Sequence, residues 1–126
     1  SILVTESNLQ ADEYLAKKAG GFYHYFHYLR TLEAQRNMMD AMPEERETFV
    51  TSKVTEALES QVIAGDPDTV LQKLVTFREE VGPFGTLLMT GHDWDERTLW
   101  QNSMRMLAQD VMPRLSQHAN ATDPSY

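Results

Sequence analysis

One stretch constrains the fold more than any other. It runs Val62-Ile63-Ala64, Gly65-Asp66-Pro67, an amphipathic segment to Val81, Gly82-Pro83, and then Thr86-Leu87-Leu88-Met89-Thr90. A short apolar run, a helix start, a helix stop and a second apolar run follow the order of a strand–helix–strand unit. Asp66 supplies the side-chain acceptor that free N–H groups at a helix start require. Pro67 suits the first helical position, where its missing N–H would find no partner anyway. Val70, Leu71, Leu74, Phe77 and Val81 recur at helical spacing and are expected to face a core. Gly82 ends the helix and Pro83 blocks its return. The near-continuous apolar character of Thr86–Thr90 predicts a strand buried on both faces, as in parallel sheets. Two strands joined by one helix suit a right-handed crossover.

Parallel units keep their chemistry at the carboxyl ends of strands. The Thr86–Thr90 strand delivers Gly91-His92-Asp93-Trp94 to that end. His92 is the candidate catalytic residue, because an imidazole titrates near neutrality and can hydrogen-bond a ligand or relay a proton. Thr90, Gly91, His92 and Trp94 form the candidate cofactor-binding edge, with Trp94 suited to line an apolar or ring pocket. The plainer alternative is that Asp93 caps the next helix, His92 is a solvated loop residue and Trp94 covers a rim. Gly65-Asp66-Pro67 opens a helix, where phosphates often bind. There, however, Asp66 and Asp68 place two carboxylates, and Pro67 removes a donor, so the segment reads as an ordinary capped turn.

The rest of the chain reads as mostly helical. Ile2–Thr5 is a candidate strand. Ser7 or Asn8 caps a helix through Lys18, and Gly20-Gly21 breaks it. The aromatic run Phe22-Tyr23-His24-Tyr25-Phe26-His27-Tyr28-Leu29 reads as helix and continues from Thr31 to Met42. Pro43 opens another short helix, and Thr48–Leu58 reads as helix or irregular. Asp93 or Asp95 caps the final helix, whose core stripe is Trp100, Met104, Leu107 and Val111. Pro113 closes that helix, and Asn120–Tyr126 is a polar tail. His24 and His27 fall three apart, but no further ligand stands at a fitting spacing, so no metal site is expected. Phe22, Tyr25, Phe26 and Leu29 are better read as a packed or self-associating stripe.

Charge narrows the range of partners. Asp and Glu outnumber Lys and Arg by 19 to 11, a formal charge of −8, and such a chain repels nucleic acid and anionic membrane. Cysteine is absent, which removes disulfide and thiolate chemistry and fits a reducing, cytoplasmic compartment. No apolar run reaches membrane-spanning length. Asn120-Ala121-Thr122 matches a glycosylation sequon by chance. Ser1 leads directly into Ile2-Leu3-Val4, with neither leader nor initiator Met, so the expectation is a piece of a longer protein entered in mid-fold.

The ordered set from Val62-Ile63-Ala64-Gly65-Asp66-Pro67-Asp68-Thr69-Val70, through Phe77-Arg78-Glu79-Glu80-Val81-Gly82 and Phe84-Gly85-Thr86-Leu87-Leu88-Met89-Thr90-Gly91-His92-Asp93-Trp94, to Val111-Met112-Pro113-Arg114-Leu115 resembles the carboxy-terminal end of the luciferase-like monooxygenases. The resemblance is strong over residues 61–115 and looser over Ile2-Leu3-Val4-Thr5-Glu6. It implies an α/β fold, a helix-rich carboxy-terminal fragment of a (β/α)8 TIM-type barrel. It also implies reduced flavin, usually FMN, acting with dioxygen on a small organic substrate, and a flavin reductase as supplier. Relatives use the deazaflavin F420, and an F420-dependent oxidoreductase is one alternative. A non-enzymatic α/β association module is the other.

On this reading the chain is one partial domain. Residues 1–29 are a strand and helix, 30–60 a variable helical insertion, 61–115 the closing βαβα units and 116–126 a polar tail. Much of the family's flavin site comes from earlier strands, so the fragment alone is expected to be inactive and to self-associate as a homo-oligomer.

Overall fold

Two short strands lie side by side and parallel, with Ile2 opposite Ile63, Leu3 opposite Ala64 and Val4 opposite Gly65. They are β1 (Ile2–Val4) and β2 (Ile63–Gly65), and they make up the two-stranded sheet of a computed structural model that describes residues 1–92 and 95–122. Between them run α1 (Asn8–Ala16), α2 (Gly21–Asn37) and α3 (Pro43–Gln61). After β2 come α4 (Pro67–Val81), α5 (Arg97–Met106), a π-helical turn (Leu107–Val111) and α6 (Met112–Thr122).

Side chains alternate across a strand, and here the alternation divides the core in two. Leu3, Val62 and Ala64 join a cluster with Tyr14, Phe22, Phe26, Val54 and Trp100. Ile2 and Val4, with Ile63 against them, join Val70, Leu74, Leu107 and Val111. Helices α1–α3 therefore cover one face of the sheet, α4, the π turn and α6 cover the other, and α5 lies along the β1 edge, giving Trp100 to the first cluster and Met106 to the second. A sheet buried on both faces can use apolar residues at every position, as Ile2-Leu3-Val4 does.

The outer edges of the sheet are closed by side chains. Thr5 N–H donates to Gly65 O at 2.8 Å and Ile63 N–H to Ser1 O at 2.8 Å, so these residues point into the ladder. Their neighbours point away. Val4 N–H donates to Ser103 Oγ of α5 at 2.8 Å, and Ser103 is fully buried. On the far edge, Lys73 Nζ donates to Ala64 O at 2.9 Å and Asp66 N–H donates to Asn8 Oδ1 at 2.8 Å.

The local signals around β2 and α4 hold. Asp66 Oδ1 accepts from Thr69 N–H at 2.8 Å, Pro67 begins the helix, and Gly82 ends it at φ 90°. Ser7 caps α1, and Gly20 precedes α2.

The expected strand Thr86–Thr90 is not formed. Its neighbours explain this: α5 already supplies the partner for β1's outward N–H, and Lys73 that for β2's outward carbonyl. Leu87 and Met89 still turn inward and Leu88 is 77% exposed, so the segment keeps a period of two with one face buried, not two. The described residues form a helix-rich α/β unit and no barrel, and residues 61–115 contribute one strand to it, not the two of a βαβα run.

Several helical expectations are also corrected. Residues 43–61 form one helix, not a short helix followed by a doubtful stretch, and α2 stops at Asn37 rather than Met42. Phe77 and Val81 lie on the exposed side of α4, and Arg78 is buried instead. Pro113 does not terminate the last helix. The π turn just before it widens the coil where the proline ring would meet the carbonyl four residues back, and α6 then continues to Thr122. Within α5, ahead of that turn, Ser103 and Met106 are buried with Trp100 where Met104 was expected. The supposed polar tail is accordingly helical over Asn120–Thr122, with Ala119 buried just before it.

Candidate functional site

His92 follows the irregular segment and sits over the start of α2. Its ring lies flat on Tyr25, centroids 3.9 Å apart and planes 12° apart. Phe22 and Phe26 meet it in edge-to-face arrangements, with ring centroids 5.3 and 6.3 Å away. Its Nε2 is 2.9 Å from Ser1 Oγ. The surroundings are aromatic because α2 places Phe22, Tyr25 and Phe26 one turn apart, with Phe22 and Phe26 buried and Tyr25 turned outward. Burial holds the imidazole below its usual pKa of 6.5, and the positive amino group of Ser1 adds to the effect. His92 is thus a neutral ring at neutral pH, able to accept or donate one hydrogen bond at Nε2 according to its tautomer.

The structure does not build the rest of the expected site around it. Thr90 and Gly91 are exposed beside His92, and a Cβ at Gly91 would meet open space, so neither is drawn into a pocket. Trp94 and Asp93 lie outside the described residues. Asp95 does not cap α5, whose N-cap is Glu96. The Asp95 carboxylate turns inward instead. Its Oδ1 accepts from Tyr14 Oη at 2.9 Å and Trp100 Nε1 at 3.3 Å, and its Oδ2 accepts from Gly21 N–H at 3.2 Å. Burial, then the hydrogen bond to Asp95, pushes the Tyr14 phenol up to about 12. Together His92 and Asp95 tie both ends of the short 92–95 connection to α1 and α2. Sequence reasoning missed this network, because Tyr14 and Asp95 lie 81 positions apart.

The turn before α4 is closed to a phosphate. Asp66 takes the Thr69 N–H, Asn8 takes the Asp66 N–H, and Pro67 has none to offer. Asp68 pairs with Arg114 of α6 at 2.7 Å. A Cβ at Gly65 would lie 2.6 Å from Asn8 Oδ1 and 2.8 Å from Thr69 Cγ2, so the chain's own side chains fill the cradle. One face of the His92 ring is also covered by Tyr25. The turn before α4 and the His92 edge therefore do not fit a flavin mononucleotide: the turn offers no phosphate seat, and Tyr25 already covers one face of the imidazole.

Other features are less specific. His24 and His27 are exposed, and His27 stacks on Tyr23 with centroids 6.0 Å apart. No group of three metal-ligating side chains occurs among the described residues. No described helix is long and apolar enough to cross a membrane. An open cleft of about 610 Å³ lies between α1–α3 and β2, with Leu15, Tyr23, Leu58 and Val62 on its walls and Lys73 at its rim.

Comparison with known proteins is sparse. No family model matches the chain, and no solved structure does. The chain is similar to the 3,6-diketocamphane 1,6-monooxygenase of Pseudomonas putida, 28% identical over 95 residues. That alignment covers 74% of this chain and 25% of the relative, so the chain spans about a quarter of the length of the curated relative it matches. The likeness is distant, and it points the same way as the monooxygenase resemblance in the sequence.

Proposed function

We propose that this chain is the carboxy-terminal part of a luciferase-like, flavin-dependent monooxygenase, one that oxidises a small organic substrate with dioxygen. The observation that supports this reading is the similarity to a curated monooxygenase across three quarters of the chain. Two parallel strands separated by helices are compatible with neighbouring staves of a barrel. In the parent enzyme the flavin, FMN or the deazaflavin F420, has its phosphate held elsewhere than at the turn before α4, which is closed by Asn8, Asp66 and Thr69. This chain contributes the closing units, and His92 lies at the rim. A flavin reductase is the supplier of reduced FMN, and the chain by itself is inactive.

The test is expression of the longer reading frame that contains this segment. With reduced FMN, dioxygen and a cyclic ketone it should give an oxygenated product, and absorbance after incubation with FMN or F420 should identify its cofactor. Turnover by the 126-residue chain alone would falsify the reading.

One observation favours a second reading, a stand-alone α/β association module. Both faces of the sheet are covered, and both edges are closed by Ser103 and Lys73. Absence of any longer reading frame, with stable self-association and no flavin binding, would select that reading.

A further inference from the structure

Helices α2 and α3 pack side by side, and a groove of about 320 Å³ lies between them, near the lower end of the range for small-molecule sites. Ala34 of α2 and Pro43 and Val50 of α3 give it apolar walls. Thr31 and Gln35, one turn apart on α2, add polar groups. One turn before Thr31, His27 also lines the groove, with its ring already stacked on Tyr23.

Two charges line the same groove, Arg46 and Glu47. Consecutive residues on a helix do not face each other, so these two flank the space without pairing. Helical partners stand three or four residues away. For Arg46 those positions hold Met42, Pro43, Phe49 and Val50, and for Glu47 they hold Pro43, Glu44, Val50 and Thr51. None carries the opposite charge. Among the described residues neither Arg46 nor Glu47 has an ion-pair partner, whereas Arg30, Lys53 and Arg114 each hold a carboxylate. Arg46 is half-buried, so its guanidinium gives up water without gaining a counter-charge, which is costly.

We propose that this groove binds an α-amino acid with an apolar side chain, its carboxylate on Arg46, its ammonium on Glu47 and its hydrocarbon part along Pro43 and Val50. Charge selects the class. A simple carboxylate would gain Arg46 but lie beside Glu47, and a simple amine would meet the reverse. A zwitterion answers both charges at once. The planar guanidinium matches the two oxygens of a carboxylate, and charge-assisted bonds are the strong ones. The Thr31 hydroxyl and the Gln35 amide are further donors within the same lining. The groove lies within residues 27–50, and the proposal does not depend on the monooxygenase reading.

Calorimetry of the full chain with L-leucine tests the proposal. N-acetyl-L-leucine, which lacks the ammonium, and L-leucinamide, which lacks the carboxylate, are the companion probes. Leucine should bind saturably at one site, and each derivative about tenfold more weakly, the loss expected for one charge-assisted bond. Methyl NMR locates the site. Val50 signals should shift with leucine, while those of Val111, fully buried in the other half of the core, stay in place. Arg46→Gln should weaken leucine by a similar factor and leave leucinamide unchanged, since that probe has nothing to place on the guanidinium. Glu47→Gln should weaken leucine without weakening N-acetyl-leucine. Glu47 is exposed and its replacement keeps the fold, so the proposal stays testable even if the arginine variant unfolds. No saturable binding of leucine into the millimolar range, equal binding of either derivative, Val50 signals that do not move, or undiminished leucine binding by Glu47→Gln would each overturn it.

Discussion

The imidazole of His92 rests flat against the phenol ring of Tyr25, 3.9 Å between centroids and 12° between planes. That stack joins a loop late in the chain to the first turns of α2. It also desolvates the imidazole, the larger of the two causes that lower its pKa. The consequence for stability has a definite sign. A histidine whose folded pKa lies below its unfolded value binds its proton more readily in the unfolded chain. Stability should therefore be intact above pH 6.5 and should fall as the pH drops through that value toward the folded pKa. Urea midpoints measured across this window should show the decline, and His92→Gln should flatten it. Tyr25→Ala should move the His92 titration, followed by NMR, up toward its ordinary value. An unmoved titration would show that the stack does not cause the shift.

Ser103 supplies a second test, because its hydroxyl is the partner of the outward N–H of β1. Ser103→Ala leaves that buried donor unsatisfied and should cost about 1–3 kcal/mol in urea unfolding. Ser116→Ala, on the exposed side of α6, should change stability by no more than about 0.5 kcal/mol. If the outer edge of β1 instead pairs with another strand in solution, Ser103→Ala will be close to neutral.

The contrast between α4 and the segment after it shows what the sequence made legible. Asp66, Pro67 and Gly82 act within a few residues of themselves, through a cap, a fixed φ and a positive φ, so the bounds of α4 could be read locally. A strand is different, since Thr86–Thr90 has the right composition but becomes a strand only if an edge is free to pair. Ser103 and Lys73 occupy those edges from distant positions. Arg78 replaced Phe77 in the interior because a long stem and a planar head can lie over Phe84, which periodicity does not register. Pro113 looked like a stop, and the π turn ahead of it converts it into a helix start. At the candidate site, the position of His92 after an apolar run was readable. Its partners Ser1 and Tyr25 were not, since nothing local links them to it.

Leu88 and Met89 separate the observed segment from the expected doubly buried strand. Leu88 is 77% exposed, while Met89 packs against both halves of the core. Leu88→Gln should stay within about 0.5 kcal/mol of the parent chain. Met89→Ala should cost roughly 1–2 kcal/mol, below the range for fully buried side chains. Chemical denaturation of both variants measures the difference. A large loss from Leu88→Gln would restore burial on both faces.

Tyr14 and Asp95 form the network that anchors the end of the 92–95 connection, and three donors converge on one carboxylate there. Tyr14→Phe removes one donor and should cost about 1 kcal/mol. Asp95→Ala strands the Tyr14 O–H and the Trp100 indole N–H, while Gly21 N–H keeps the Tyr14 oxygen as acceptor at 3.1 Å, and should cost about 2 kcal/mol. Because both changes break one shared contact, the double variant should lose less than the sum of the two. The Tyr14 phenol, raised to about 12, adds a readout in alkali. Its contribution to stability is whole below its unfolded value of 10.0 and is lost as the pH rises through the folded value. Ultraviolet titration should therefore show one tyrosine ionising well after the others, and Asp95→Ala should bring that transition down. Additive losses with an unchanged titration would mean that Tyr14 and Asp95 act separately, and that burial alone sets the phenol's pKa.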